Sequence, residues 1–174
     1  MGGEGEGDIE VCGLGDSSMT NSVEVLRRRV LGKLEINQLY LTSLFNGPRL
    51  KDAFDGVETY CMFIGYPRSG HSLVGALLDA HPEMIIAHEF DTLRFLNLGF
   101  NREQLYYLIL ENSKRYAKNG REQSGYSYDV PNQWQGKFRK LRVIGDKKGR
   151  HSTQLAGEDA ALFDRLRHMV GVPV

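Results

Sequence analysis

The segment between Thr59 and Asp79 constrains the fold more than any other part of the sequence. Residues 59–64 are apolar without alternation, which is typical of a strand that is covered on both faces. Gly70–Asp79 has the apolar pattern of a helix that ends before Pro82. The turn between them, Gly65-Tyr66-Pro67-Arg68-Ser69-Gly70-His71-Ser72, has the glycine spacing of a phosphate-binding loop. The segment therefore predicts an α/β unit with an anion site at the turn.

The rest of the chain continues this alternation of strands and helices. The pattern predicts strands over Met84–Ala87 and Leu141–Ile144, and helices over Arg102–Lys118 and Glu158–Met169. Such alternation predicts an α/β fold, here a P-loop-like three-layer arrangement around a parallel sheet, over residues 58–174. Three strands make a thin sheet, so we expect the sheet to be incomplete at the C-terminus. Its open edge is a surface where a partner could bind.

The N-terminal part of the chain has a different composition. Residues 1–21 are rich in glycine, acidic residues and serine, which predicts disorder. Residues 22–47 carry the pattern of an amphipathic helix that ends at Asn46-Gly47-Pro48. No signal peptide and no apolar run of membrane-spanning length is found, so a cytoplasmic protein is expected.

The charges give little reason to expect nucleic acid as a partner. The 174 residues contain 22 Lys plus Arg and 22 Asp plus Glu, so there is no net field to attract a polyanion. His151 and His168 have no ligand spacing with cysteines or acidic residues, and no metal site is predicted.

The turn after the first strand has an unusual cation. His71 stands where nucleotide-hydrolysing phosphate loops keep a lysine, and Arg68 supplies positive charge three residues earlier. Backbone N–H groups of residues 69–72 and the start of the helix favour an anion there. Without the lysine, a magnesium-bound triphosphate is not the expected anion.

The stretch "GYPRSGHSLVGALLDAHPEM" resembles the 5′-phosphosulfate loop of the sulfotransferase family, in particular its tyrosylprotein and carbohydrate branches. The family pattern is Pro-Arg/Lys-Ser/Thr-Gly-Thr-Thr, and the similarity covers about residues 58–150. His71 replaces the first threonine, and Ser72 preserves the second hydroxyl. The resemblance implies a metal-free site for 3′-phosphoadenosine 5′-phosphosulfate, bound by Arg68, Ser69, Gly70, His71 and Ser72.

Two further positions gain a role from this resemblance. Glu89 follows the strand "MIIAH" and matches the family's catalytic base, with His88 as the alternative. "RVIGDKKG" resembles the family's Gly-Asp-Lys-x-Pro motif, which makes Lys147 a second catalytic cation beside Arg68. Gly149 replaces the proline of that motif, so Lys148 is the alternative cation. Side chains at the carboxyl ends of parallel strands share one crevice, as this assignment requires.

The acceptor is less defined than the donor. The loop 120–136 carries Tyr126, Tyr128 and Trp134, which suit a small-molecule, carbohydrate or peptide acceptor but serve equally well as a hydrophobic cap. The family's 3′-phosphate motif has no counterpart before Val174, so we expect a truncated sulfotransferase. The alternatives are a catalytically incomplete remnant that binds an anion or nucleotide, and a P-loop kinase.

Overall fold

The computed structural model describes residues 17–174 and has an α/β fold with a parallel sheet. Its strands are β1 (Thr59–Met62), β2 (Met84–His88), β3 (Glu122–Gln123), β4 (Tyr126–Ser127) and β5 (Val143–Lys147). Its helices are α1 (Ser17–Asn46), α2 (Lys51–Phe54), α3 (His71–Asp79), α4 (Thr92–Asn97), α5 (Arg102–Lys118), α6 (His151–Glu158) and α7 (Ala161–Val170). A 3-10 turn, Pro48–Leu50, precedes α2.

The chain divides into two compact units after Gln38. The described part of the first unit is the N-terminal portion of α1, in which Val30, Leu31 and Leu34 are exposed. The second unit, Leu39–Val174, contains the end of α1 and all the other elements. No helix in residues 17–174 is both long enough and apolar enough to cross a membrane.

The parallel sheet has the order β1-β5-β2. Cys61 of β1 and Ile86 of β2 are both in register with Gly145 of the central strand β5. The strand that comes last in the chain therefore lies between the first two. All three carboxyl ends meet at one edge of the sheet.

Helices cover both faces of the sheet. On one face, Gly75 of α3 lies against β2, since an added Cβ there would be 3.7 Å from a methyl carbon of Ile86. On the other face, Ile85 and Ala87 belong to the main core together with Tyr106 and Ile109 of α5. Neighbouring residues of β2 thus point to opposite faces, as a strand requires.

Asp79, the last residue of α3, is a buried carboxylate that binds four segments of the fold. It accepts hydrogen bonds from Ile86 N (2.6 Å) of β2 and from the Ser113 hydroxyl of α5 (2.7 Å). It also accepts a hydrogen bond from Gly136 N (3.1 Å) and forms an ion pair with Arg121, whose side chain is 1 % exposed. A buried charge is tolerated only when it is paired and hydrogen-bonded in this way.

Several element boundaries differ from the sequence predictions. Strand β1 ends at Met62 rather than Ile64, because Ile64 is exposed and the glycine turn begins at Gly65. Strand β5 covers Val143–Lys147 rather than Leu141–Ile144. The apolar criterion missed its second half because Asp146 and Lys147 are polar residues that the fold buries.

The helix predictions were incomplete near the C-terminus. The helix predicted over Glu158–Met169 corresponds to α7, Ala161–Val170, and α6 before it was not predicted. Helix α6 is too polar to show an apolar stripe in its sequence, and the short α4 was missed as well. The predictions for α3 and α5 are confirmed to within one residue.

The N-terminal helix begins at Ser17, before the predicted start at residue 22. Residues 17–21, which were assigned to a disordered segment, are helical, and residues 1–16 lie outside the described part of the chain. In the order β1-β5-β2 the edge strands are β1 and β2, and the edge of β1 contacts the C-terminal segment. There, Tyr60 N donates to Pro173 O (2.8 Å), so the C-terminal segment lies against this edge at one point.

The Asp79 carboxylate should dominate the stability of the second unit. Asp79→Asn keeps the size of the side chain but leaves Arg121 buried without a counter-charge, which costs about 3–5 kcal/mol of unfolding free energy. Urea denaturation followed by circular dichroism measures this loss. The matched control is Asp52→Asn, which changes an exposed carboxylate of α2 and should leave the midpoint nearly unchanged. Equal effects of the two changes would contradict a central role for Asp79.

Candidate functional site

A cleft of about 910 Å³ opens at the carboxyl ends of the three parallel strands. It is formed by the turn after β1, the residue after β2, the end of β5 and the β3–β4 hairpin. The residues that line it are Pro67, Arg68, Gly70, His71, Ser72, Leu73, Glu89, Gln123, Ser124, Tyr126, Tyr128, Lys147 and Gly149. The cleft therefore contains Arg68, Glu89 and Lys147, the three residues predicted to be catalytic.

The turn between β1 and α3 is held in a defined shape. Arg68 has a φ of +67° and Gly70 a φ of +77°, so both residues have left-handed backbone before α3 begins at His71. Thr153 of α6 fixes the start of the turn, because its hydroxyl contacts both Gly65 N (2.9 Å) and Gly65 O (3.0 Å). Gly70 is the N-cap and provides no side-chain cap for α3. The first N–H groups of α3 lie where the sequence predicts an anion site.

Lys147 is the most unusual side chain of the cleft. It is the last residue of β5, and only 2 % of its surface is exposed. Its stem lies beside α3, since an added Cβ at Gly75 would be 3.5 Å from the Lys147 Cβ. Its ammonium group forms an ion pair with Glu89 Oε1. A buried charge of this kind is tolerated only when it is paired.

Glu89 is shared between two lysines. Its second carboxylate oxygen, Oε2, lies 3.0 Å from Lys148 Nζ, and its backbone N donates to Lys147 O (2.6 Å). Burial raises the pKa of Glu89, but hydrogen bonds from Lys147 and Lys148 lower it more, so the net pKa is below its ordinary value. Glu89 is therefore a carboxylate at neutral pH. Its φ of +53° shows that the backbone is held away from the extended form as it leaves β2.

His88, the alternative base, does not line the cleft. Its ring stacks on Tyr116, with centroids 4.2 Å apart, and its Nε2 contacts the Gln123 side chain. Burial, and then the charge of Lys147, lower the pKa of His88 to about 4. The ring is neutral at pH 7 and supports the hairpin that forms one wall of the cleft.

His71 lies against the loop that follows β5. Its Nδ1 is 2.7 Å from the Ser69 hydroxyl. An added Cβ at Gly149 would lie 2.9 Å from its Nε2, so the ring occupies space that a side chain at position 149 would need. Burial and the charge of Lys147 lower the pKa of His71, while Glu89 acts in the opposite direction.

The loop 120–136, predicted to lie on the acceptor side, contains the β3–β4 hairpin. Tyr126 and Tyr128 line the cleft, whereas Trp134 does not. The hairpin also contributes Gln123 and Ser124, which sequence reasoning missed. The Ser124-Gly125 pair is a turn signal that could have indicated a hairpin between two short strands.

Asp146 neighbours Lys147 in the chain but points to the opposite side of the sheet. Its side chain accepts a hydrogen bond from Thr92 N (2.9 Å) and one from the Tyr60 hydroxyl (3.3 Å). Complete burial raises the pKa of Asp146 to about 6, against the opposing effect of these hydrogen bonds. Asp146 therefore supports the start of α4 and does not line the cleft.

The chain matches no protein-family model, and neither a curated protein nor a solved structure is similar enough to count as a relative. Of the predicted binding residues, Arg68, Gly70, His71 and Ser72 line the cleft, and Ser69 contacts it through His71. Lys148, the alternative to Lys147, reaches the site through Glu89. In residues 17–174 no three potential metal ligands lie together.

Asp146 should make the protein less stable as the pH rises. Its folded pKa is about 6 against an ordinary value of 3.8, so the folded state binds the proton more tightly than the unfolded state. Ionising it as the pH rises from about 4 to about 6 therefore costs about 3 kcal/mol of unfolding free energy. Asp146→Asn removes this cost and still offers an oxygen to Thr92 N. In urea titrations the unfolding free energy of the variant should increase relative to that of the wild type over that pH range. A difference between the two unfolding free energies that does not change with pH would contradict the raised pKa of Asp146.

Proposed function

We propose that this chain carries the catalytic cleft of a sulfotransferase with a P-loop-like fold. The reaction is transfer of a sulfuryl group from 3′-phosphoadenosine 5′-phosphosulfate to a hydroxyl or amine acceptor. The observation that carries the proposal is the Glu89–Lys147 ion pair, which lies in the same cleft as Arg68 and the start of α3. One base and two cations around one anion-binding turn are the groups that this chemistry needs.

The residues that line the cleft have different roles in this sulfuryl transfer. The acceptor oxygen or nitrogen attacks sulfur, and the bond between sulfur and the 5′-phosphate oxygen breaks. The electron pair leaves with the phosphate, whose charge Arg68 and the N–H groups of residues 69–72 stabilise. Lys147 stabilises the sulfonate oxygens during transfer. Glu89 takes the proton from the acceptor.

The pairing of Glu89 with both lysines fits this role. A carboxylate with a lowered pKa is ionised at neutral pH and ready to accept a proton, although it is a weak base. When a donor sulfonate competes for the lysines, Glu89 loses part of its pairing and becomes more basic. Donor binding thus prepares the base for the acceptor.

A P-loop kinase fits the cleft less well. Such an enzyme needs a lysine in the turn and an acidic ligand for magnesium. The turn has His71 at that position, and Asp146 is directed into the core at Tyr60 and Thr92. The carboxylate that lines the cleft, Glu89, is already paired with Lys147 and Lys148.

Calorimetric titration with adenosine 3′,5′-bisphosphate, without magnesium, tests the donor site. We expect binding to the wild-type chain, and binding weaker by about 10- to 100-fold in Arg68→Ala, because a hydrogen bond to a charged group contributes about 1.5–3 kcal/mol. Arg94→Ala, which removes an exposed arginine of α4 outside the cleft, should bind as the wild type does. Stronger binding of ATP with magnesium would favour the kinase, and binding of neither would favour the catalytically incomplete remnant.

Glu89→Gln tests the base. The glutamine keeps an oxygen for Lys147 but has little capacity to take a proton, so the rate of transfer to a phenolic or sugar acceptor should fall by about 100-fold or more. Bisphosphate affinity should be retained or should rise, because the variant removes the negative charge that competes for Lys147 and Lys148. Glu122→Gln, at an exposed carboxylate of the hairpin, is the matched control. Transfer that survives Glu89→Gln unchanged would remove Glu89 as the base.

A further inference from the structure

The two positions at which the cleft departs from the family pattern contact each other. The pattern has threonine where this chain has His71, and proline where it has Gly149. In the structure the His71 ring lies over Gly149, with Nε2 2.9 Å from the place of a missing Cβ. A side chain at position 149 would displace the ring. The absence of a side chain at Gly149 therefore leaves room for the His71 ring.

The ring is held from the other side as well. Its Nδ1 contacts the Ser69 hydroxyl at 2.7 Å, and its backbone begins α3. The imidazole is thus fixed in the wall of the cleft that also contains Arg68 and Ser72. It replaces a small hydroxyl with a group that can change its charge near neutral pH.

Charged groups from three segments line the same cleft as this ring. Lys147 comes from β5, Glu89 from the end of β2, and Arg68 from the turn itself. Lys148 acts through its contact with Glu89, and the hairpin contributes only uncharged residues to the cleft. Lys147 opposes a positive charge on His71, whereas an anion in the cleft would favour it.

We propose that His71 is neutral when no anion is bound and takes up a proton when an anion enters the cleft. Anion and proton then bind together, and the affinity for a sulfate- or phosphate-type anion falls as the pH rises over the range in which the ring loses its proton. This inference rests on the proposed function only in that the cleft must bind an anion. It names a titrating contact that the family pattern lacks.

Histidine ring signals in nuclear magnetic resonance spectra provide the direct test. The chain has five histidines, and the signal lost in His71→Asn identifies the ring of interest. With saturating sodium sulfate the pKa of His71 should rise by about one pH unit or more relative to sodium chloride at equal ionic strength. Sulfate is a suitable probe because its own charge is constant in this range. An unchanged pKa would overturn the proposal.

Two further measurements separate this inference from the proposed function. Gly149→Ala should displace the ring and reduce the sulfate-induced rise, although the His71 side chain is still present. An undiminished rise in that variant would overturn the role of Gly149. If adenosine 3′,5′-bisphosphate binds and leaves the pKa of His71 unchanged, the inference is wrong and the donor site stands. If sulfate raises that pKa while the bisphosphate does not bind, the inference stands and the proposed donor is wrong.

Discussion

The buried carboxylate of Asp79 is the interaction on which the rest of the structure depends. It neutralises Arg121 in the core and accepts hydrogen bonds from β2, α5 and the segment before β5. A carboxylate in this position fixes the end of α3 relative to the sheet, and α3 begins at the turn that is proposed to bind an anion. Asp79, at the C-terminal end of α3, therefore helps to position the turn at the N-terminal end of the same helix, and this turn lines the cleft. Buried ionic groups of this kind favour one arrangement of elements over others.

The Asp79–Arg121 ion pair is also connected to the cleft by a second series of contacts. The Arg121 guanidinium lies over the Tyr116 ring at 5.1 Å, Tyr116 stacks on His88, and His88 contacts Gln123 in the hairpin. Each contact orients the next ring or side chain. Both walls of the cleft, the turn on one side and the hairpin on the other, thus depend on one ion pair in the core.

The sequence was most informative where local patterns decide the structure. The turn from Gly65 to Ser72 and the helices α3 and α5 could be predicted because glycine spacing and apolar periodicity are local signals. Strand β5 was placed too early because Asp146 and Lys147 are stabilised by Thr92, Tyr60 and Glu89, which are distant in sequence. The contact between His71 and Gly149 could not be foreseen for the same reason, since only the fold brings these positions together.

The strand order β1-β5-β2 also has a consequence for how the chain acquires its structure. Strands β1 and β2 have no bonds to each other, and both depend on β5, which is the last of the three to leave a ribosome. During synthesis β1 and β2 cannot pair with β5 until residue 147 has emerged. Such delayed, non-local pairing is slow and leaves intermediates open to aggregation. The nascent chain should accordingly be most open to aggregation before residue 147 has emerged.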